Sequence, residues 1–127
     1  MDMNESNRRY AKRVKYDFTV RFRSVGSPGS AAWNISILRD ISTAGVLFYS
    51  LDYYDCDMPL ELRIKSPFIS EEMICFGNVM RCEQLKNKKG VFAVGVKIAE
   101  ISPEYRSVYN KTVAYFLDKS NDQDKSL

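Results

Sequence analysis

The stretch Val91-Phe-Ala-Val-Gly-Val-Lys-Ile98, followed closely by Ser102-Pro-Glu-Tyr105-Arg-Ser-Val-Tyr109-Asn-Lys-Thr-Val113-Ala-Tyr-Phe116, decides the fold class. Within it the hydrophobic period changes. Phe92, Val94, Val96 and Ile98 fall on alternate residues, as in a strand with one buried face. Beyond Ile98 the apolar residues Tyr105, Val108, Tyr109, Val113 and Phe116, with Thr112, recur at helical spacing and form one stripe. Ser102 can cap this helix, Pro103 suits its first position, and Glu104 favours its positive end. A strand therefore leads directly into a helix. The stripe predicts packing across the open mouth of a barrel; a partner-binding helix is the other reading.

Upstream the pattern is all strand. Asp17 to Val25 alternates, with Phe18, Val20 and Phe22 on one face and Thr19, Arg21 and Arg23 on the other. Gly26-Ser-Pro-Gly29-Ser30 marks a loop. Asn34 to Asp40 reads as a second strand with Ile35 and Ile37 on one face, and Gly45 to Tyr49 as a third. Leu51 to Met58 reads as a loop, and Leu60, Leu62 and Ile64 as a fourth strand ending near Pro67. Met73 to Glu83 is a fifth strand whose inward face is ambiguous. Ile74, Phe76 and Met80 lie on one side and Val79 on the other, and Gly77 can allow a bulge. Lys86-Asn-Lys-Lys-Gly90 is a hairpin connection into the sixth strand. Short strands separated by turn signals predict a sandwich or a barrel. The expected division is a flexible N-terminus at 1–7, a single domain at 8–117 and a disordered tail at 118–127.

The length of 127 residues suits one domain that buries roughly two-thirds of its unfolded surface. A hydrophobic content of 45% supports a globular class, and a net charge of +3 is too small for bulk nucleic-acid binding. The charge is uneven. Arg8, Arg9, Lys12, Arg13 and Lys15 form a run without an acid, which is either a local anion site or a solvated arm. The chain has no histidine, so triads and bases built on imidazole are excluded. It also lacks a G-x-x-x-x-G-K-[ST] loop, so no enzyme is predicted. Cys56, Cys75 and Cys82 fit no zinc pattern, Asp52, Asp55 and Asp57 fit no calcium loop, and no metal or cofactor is expected. Met1 to Asn7 is polar, and no window approaches the roughly 18 apolar residues of a membrane span. A cytoplasmic protein with reduced thiols and no membrane partner is predicted.

Two short motifs carry the functional reading. Arg9-Tyr-Ala-Lys-Arg13 is R-x-x-x-R, and Asp40-Ile-Ser42-Thr-Ala-Gly45 is D-x-S-x-x-G. Each alone is weak. Asp and Ser close ordinary turns through their own backbone, and basic runs are commonly solvated. The ordered pair at this spacing resembles the PilZ domain family, bacterial receptors for cyclic di-GMP, over about Asn7 to Leu117. The resemblance implies a six-stranded antiparallel β-barrel with a C-terminal α-helix and the second motif in the turn between strands two and three. It implies that Arg9 and Arg13 meet guanine edges and phosphates through planar guanidinium forks, a chemistry lysine supplies less well. Asp40 would accept from the guanine N1–H and N2–H2 edge. Ser42 would hydrogen-bond phosphate or base, and Gly45 would permit an unusual backbone conformation and close approach to the ligand.

Arg81 stands at a position often basic in this family and is a further candidate for the site. Arg8, directly before the first motif, implies two stacked cyclic di-GMP molecules per chain. Trp33 is read as a barrel-edge or core residue rather than a base-stacking platform. A lone receptor domain must signal through an effector protein, and the loop from Leu51 to Met58, with Tyr53 and Tyr54, is a candidate partner surface. Two alternatives stand beside this reading. One is a PilZ-like adaptor that binds protein and no nucleotide. The other is a small barrel binding single-stranded nucleic acid through tyrosines such as Tyr10, Tyr16, Tyr53 and Tyr54, against which the carboxylate of Asp40 argues.

Overall fold

The structure, a computed structural model, describes residues 18–26 and 32–125, with side chains described as far as residue 118. Six strands, β1 (Thr19–Ser24), β2 (Asn34–Ile41), β3 (Gly45–Ser50), β4 (Pro59–Lys65), β5 (Met73–Leu85) and β6 (Lys88–Ile101), precede one helix, α1 (Pro103–Lys125). All neighbours are antiparallel, and the ring closes in the order β1-β2-β3-β6-β5-β4 with β1 paired to β4. Closure removes the unpaired edges an open sheet would expose.

The interior is filled from alternate residues. Val20 and Phe22 of β1, Phe48 of β3, and Leu60, Leu62 and Ile64 of β4 are at most 1% exposed. The rings of Phe22 and Phe48 sit 4.4 Å apart at the centre. Helix α1 closes one mouth with its stripe: Tyr109 and Val113 join the core beside Ile41 and Ile101. Phe18 meets the edge of Phe116 at 5.1 Å. Thr112 is fully buried and bonds its own helix, donating from Oγ1 to the Val108 carbonyl at 2.8 Å. Asp118 to Lys125 lacks glycine and proline, and α1 continues to Lys125 where the sequence reading expected a tail.

Tyr54 closes the other mouth. It is 8% exposed, its hydroxyl accepts from Asn34 Nδ2 at 3.3 Å, and its amide donates to Cys82 Sγ at 3.4 Å. Of the two tyrosines proposed for a partner surface, only Tyr53 is exposed. The structure also decides two strand faces that periodicity left open. Ile35 and Ile37 share a face, as expected, and it is the outer one. Ser36 lies opposite the inward Val20, Ile37 lies opposite Thr19, and Ile35 is 67% exposed. On β5 the inward residues are Met73, Cys75 and Val79, whereas Phe76 and Met80 are exposed. Gly77 is required there because a Cβ would collide with the carbonyl oxygen of Lys97.

Outside the barrel, Trp33 lies under three guanidinium groups, those of Arg21, Arg23 and Arg63, at 4.9, 4.2 and 5.2 Å. Arg23 and Arg63 both bond the largely buried Glu61, and Arg21 pairs with Glu72 at 2.6 Å. Burial alone would raise the Glu61 carboxyl, but the hydrogen bonds from Arg63 and Arg23 outweigh it and hold it below its ordinary value.

Candidate functional site

The turn joining β2 to β3 carries Asp40, Ser42 and Gly45. Ser42 closes it: its amide donates to the Gly45 carbonyl at 2.8 Å, and its Oγ accepts from the amides of Ala44 and Gly45 at 3.1 and 3.2 Å. The turn is then held from two further sides. The Ile98 amide of β6 donates to the Ala44 carbonyl at 2.9 Å, and the buried Tyr109 hydroxyl of α1 donates to the Ser42 carbonyl at 2.7 Å. Burial raises the Tyr109 pKa, so the hydroxyl keeps its proton and remains a donor. The Ser42 hydroxyl proton is weakly used, reaching the Gly45 carbonyl only at 3.5 Å, and is available to an incoming acceptor.

Two β-bulges orient the charged residues beside this turn. Leu38 pairs with Phe48 and Asp40 with Leu47, so Arg39 is the extra residue on β2. Strict alternation from the inward Leu38 would drive Asp40 into the core, where an unpaired carboxylate is costly. The bulge instead leaves Asp40 exposed and turns Ile41 inward at 2% exposure. On β5, Val79 pairs with Val96 and Arg81 with Gly95, which makes Met80 the extra residue. Val79 is fully buried, and the bulge turns Arg81 outward.

Both bulges open onto one cleft of about 350 Å³. Asp40, Ser42 and Gly45 line it on the turn side, and Arg81, Gly95 and Lys97 line it across β5 and β6. Asp40 is partly engaged, accepting from the Ile41 amide at 2.9 Å through Oδ1. Gly45 has a negative φ, since the positive values belong to Gly26, Gly90 and Asp57. It is needed for close approach to protein rather than for an unusual conformation: a Cβ would strike the carbonyl oxygen of Val96. Four sequence candidates, Asp40, Ser42, Gly45 and Arg81, therefore share one cleft. Arg8, Arg9 and Arg13 lie outside the described residues, as do Tyr10 and Tyr16.

Met80, Gly95 and Lys97 also line the cleft and were not singled out from sequence. The alternation of β6 placed Gly95 and Lys97 on its outer face, but their neighbours depend on strand order. Among the described residues no group of three or more Cys, Asp or Glu is placed to hold a metal ion, and no helix is long and apolar enough to cross a membrane.

The chain spans about half of a solved neighbour, the inhibitor of motility MotI/DgrA of Bacillus subtilis. The match has a TM-score of 0.60 and 13% identity, covering 83% of this chain and 47% of that one. At that identity the likeness is one of fold. No curated protein sequence matches the chain significantly. The model of the PilZ domain matches residues 7–114. That span holds both motifs, all six strands and the part of α1 that carries Tyr109 and Val113, and the chain belongs to the PilZ domain family.

Proposed function

We propose that the protein is a cyclic di-GMP receptor that signals through a protein partner and catalyses no reaction. The observation that carries this reading is the convergence of Asp40, Ser42 and Arg81 on one open cleft. The Leu38 amide donates to the Phe18 carbonyl at 2.8 Å, which places the start of the barrel two residues from Asp40. Arg13 precedes Phe18 by five residues, a connection of at most about 18 Å, and the reading brings Arg9 and Arg13 to the cleft across it. A carboxylate suits the donor edge of guanine, and guanidinium groups suit its N7/O6 edge and the phosphates. Arginines brought from a separate segment onto a preformed wall would couple ligand capture to a new surface for a partner. The reading places the protein in the cytoplasm.

Calorimetric titration tests it. Cyclic di-GMP should bind, and linear guanine nucleotides should bind far more weakly. Arg13→Ala and Asp40→Ala should each weaken binding by about 1.5–3 kcal/mol, roughly ten- to a hundred-fold. Asp40 is exposed, so Asp40→Ala should change stability by less than about 1 kcal/mol. Absence of heat with folded, ligand-free protein at high micromolar cyclic di-GMP would refute the proposal. Wild-type affinity in either variant would remove that residue from the site.

A further inference from the structure

Lys97 occupies the cleft without a role in the fold. It projects from the outer face of β6 and lies opposite Gly45 of β3, which offers no side chain to cover it. Among the described residues its ammonium forms no hydrogen bond and no ion pair, whereas Arg21, Arg23 and Arg63 on neighbouring strands β1 and β4 are paired with carboxylates. Gly95 stands two residues earlier on the same face, roughly 7 Å along the strand. A Cβ built on Gly95 would lie 3.4 Å from Cγ and 3.6 Å from Nε of Arg81. The Arg81 side chain therefore runs over Gly95, across space that a side chain at that position would share. Among the described residues the cleft thus holds two unpaired cations of different kinds, a planar fork and a point charge, against the single carboxylate of Asp40.

We propose that Lys97 is a ligand-binding residue that neutralises a phosphate of the bound nucleotide, while Arg81 over Gly95 meets a base. The assignment rests on the cyclic di-GMP reading and deepens it. An ammonium with rotatable donors serves a phosphate from many angles, whereas a guanine edge or face calls for a fixed plane. Separation of the two cations along one strand fits a compact ligand in which phosphate and base alternate.

The test is calorimetry with cyclic di-GMP at two salt concentrations on wild type, Lys97→Gln and Lys97→Arg. Lys97→Gln should bind about five- to thirty-fold more weakly at low salt and lose part of the wild-type salt dependence, because one ionic contact is gone. Lys97→Arg keeps the charge and should stay within about three-fold of wild type. Thermal midpoints should be unchanged, since the side chain is exposed and has no partner among the described residues. If wild type binds and Lys97→Gln binds within two-fold with the same salt dependence, Lys97 is a solvated surface lysine and the inference is overturned. If wild type itself fails to bind, it is the receptor reading that fails.

Discussion

Replacing Gly45 by alanine adds one methyl group where β3 and β6 leave no space for it. The new Cβ would collide with the Val96 carbonyl oxygen and lie 3.1 Å from the Val96 carbonyl carbon and 3.3 Å from Lys97 Cα. All three neighbours are backbone, so no rotamer change relieves the clash, and the strands must separate or the turn must distort. Overpacking of this kind costs about 1–3 kcal/mol. Displacing Gly45 also disturbs its amide bond to Ser42 Oγ at 3.2 Å and the Ser42 amide bond to its carbonyl at 2.8 Å, adding about 1 kcal/mol. The expected loss is about 2–4 kcal/mol. With an unfolding entropy of about 0.27 kcal/mol/K for 127 residues, the melting midpoint should fall by about 7–15 °C. Circular dichroism melts and urea titrations of the ligand-free protein measure it. Gly95→Ala is the control: its Cβ would make ordinary contact with the flexible Arg81 side chain and should change stability by less than about 0.5 kcal/mol. A Gly45→Ala protein within about 0.5 kcal/mol of wild type would refute the reasoning and return the motif glycine to a role at the ligand alone.

Further outcomes follow from other contacts. Tyr109→Phe removes the donor to the Ser42 carbonyl and should cost about 1–2 kcal/mol by urea unfolding; an unchanged midpoint would show that the bond contributes little. Thiol labelling of native protein at neutral pH, read by mass spectrometry, should modify the exposed Cys56 first. Cys75, buried and with its pKa pushed up to about 12, should react only on unfolding, and equal rates would contradict its placement. Glu61 and Glu72 sit below their ordinary values in the fold, so their stabilisation is complete above the usual carboxylate range. It is lost as pH falls through the lowered values, and a Glu61→Gln/Glu72→Gln protein should show a flatter acid limb in stability against pH. Saturating calorimetry should give two cyclic di-GMP molecules per chain and fewer with Arg8→Ala; one per chain in both proteins would remove Arg8 from the ligand-binding set.

Strand number, the succession of strands along the chain and the C-terminal helix were legible in the sequence because each rests on a local period. Phe18, Val20 and Phe22 alternate, Tyr105 to Phe116 recur at helical spacing, and Ser102-Pro103 marks the change. The two motifs were legible for the same reason, and they pointed to the family. What the sequence could not show is how one strand meets another. A bulge is a mismatch of register between partners, so the outward turn of Asp40 and of Arg81 depends on β3 and β6 as much as on β2 and β5. The same dependence decided that the face shared by Ile35 and Ile37 is the outer one, and it left the inward side of β5 ambiguous from sequence. Lys97 became a cleft residue only because barrel closure set β6 against β3, opposite Gly45. Tyr109 reached the carbonyl of Ser42, 67 positions away, only because α1 folded back over the barrel mouth. Periodicity reports which face of a segment is apolar; register and closure, set by the packing of distant segments, decide which polar residues come together.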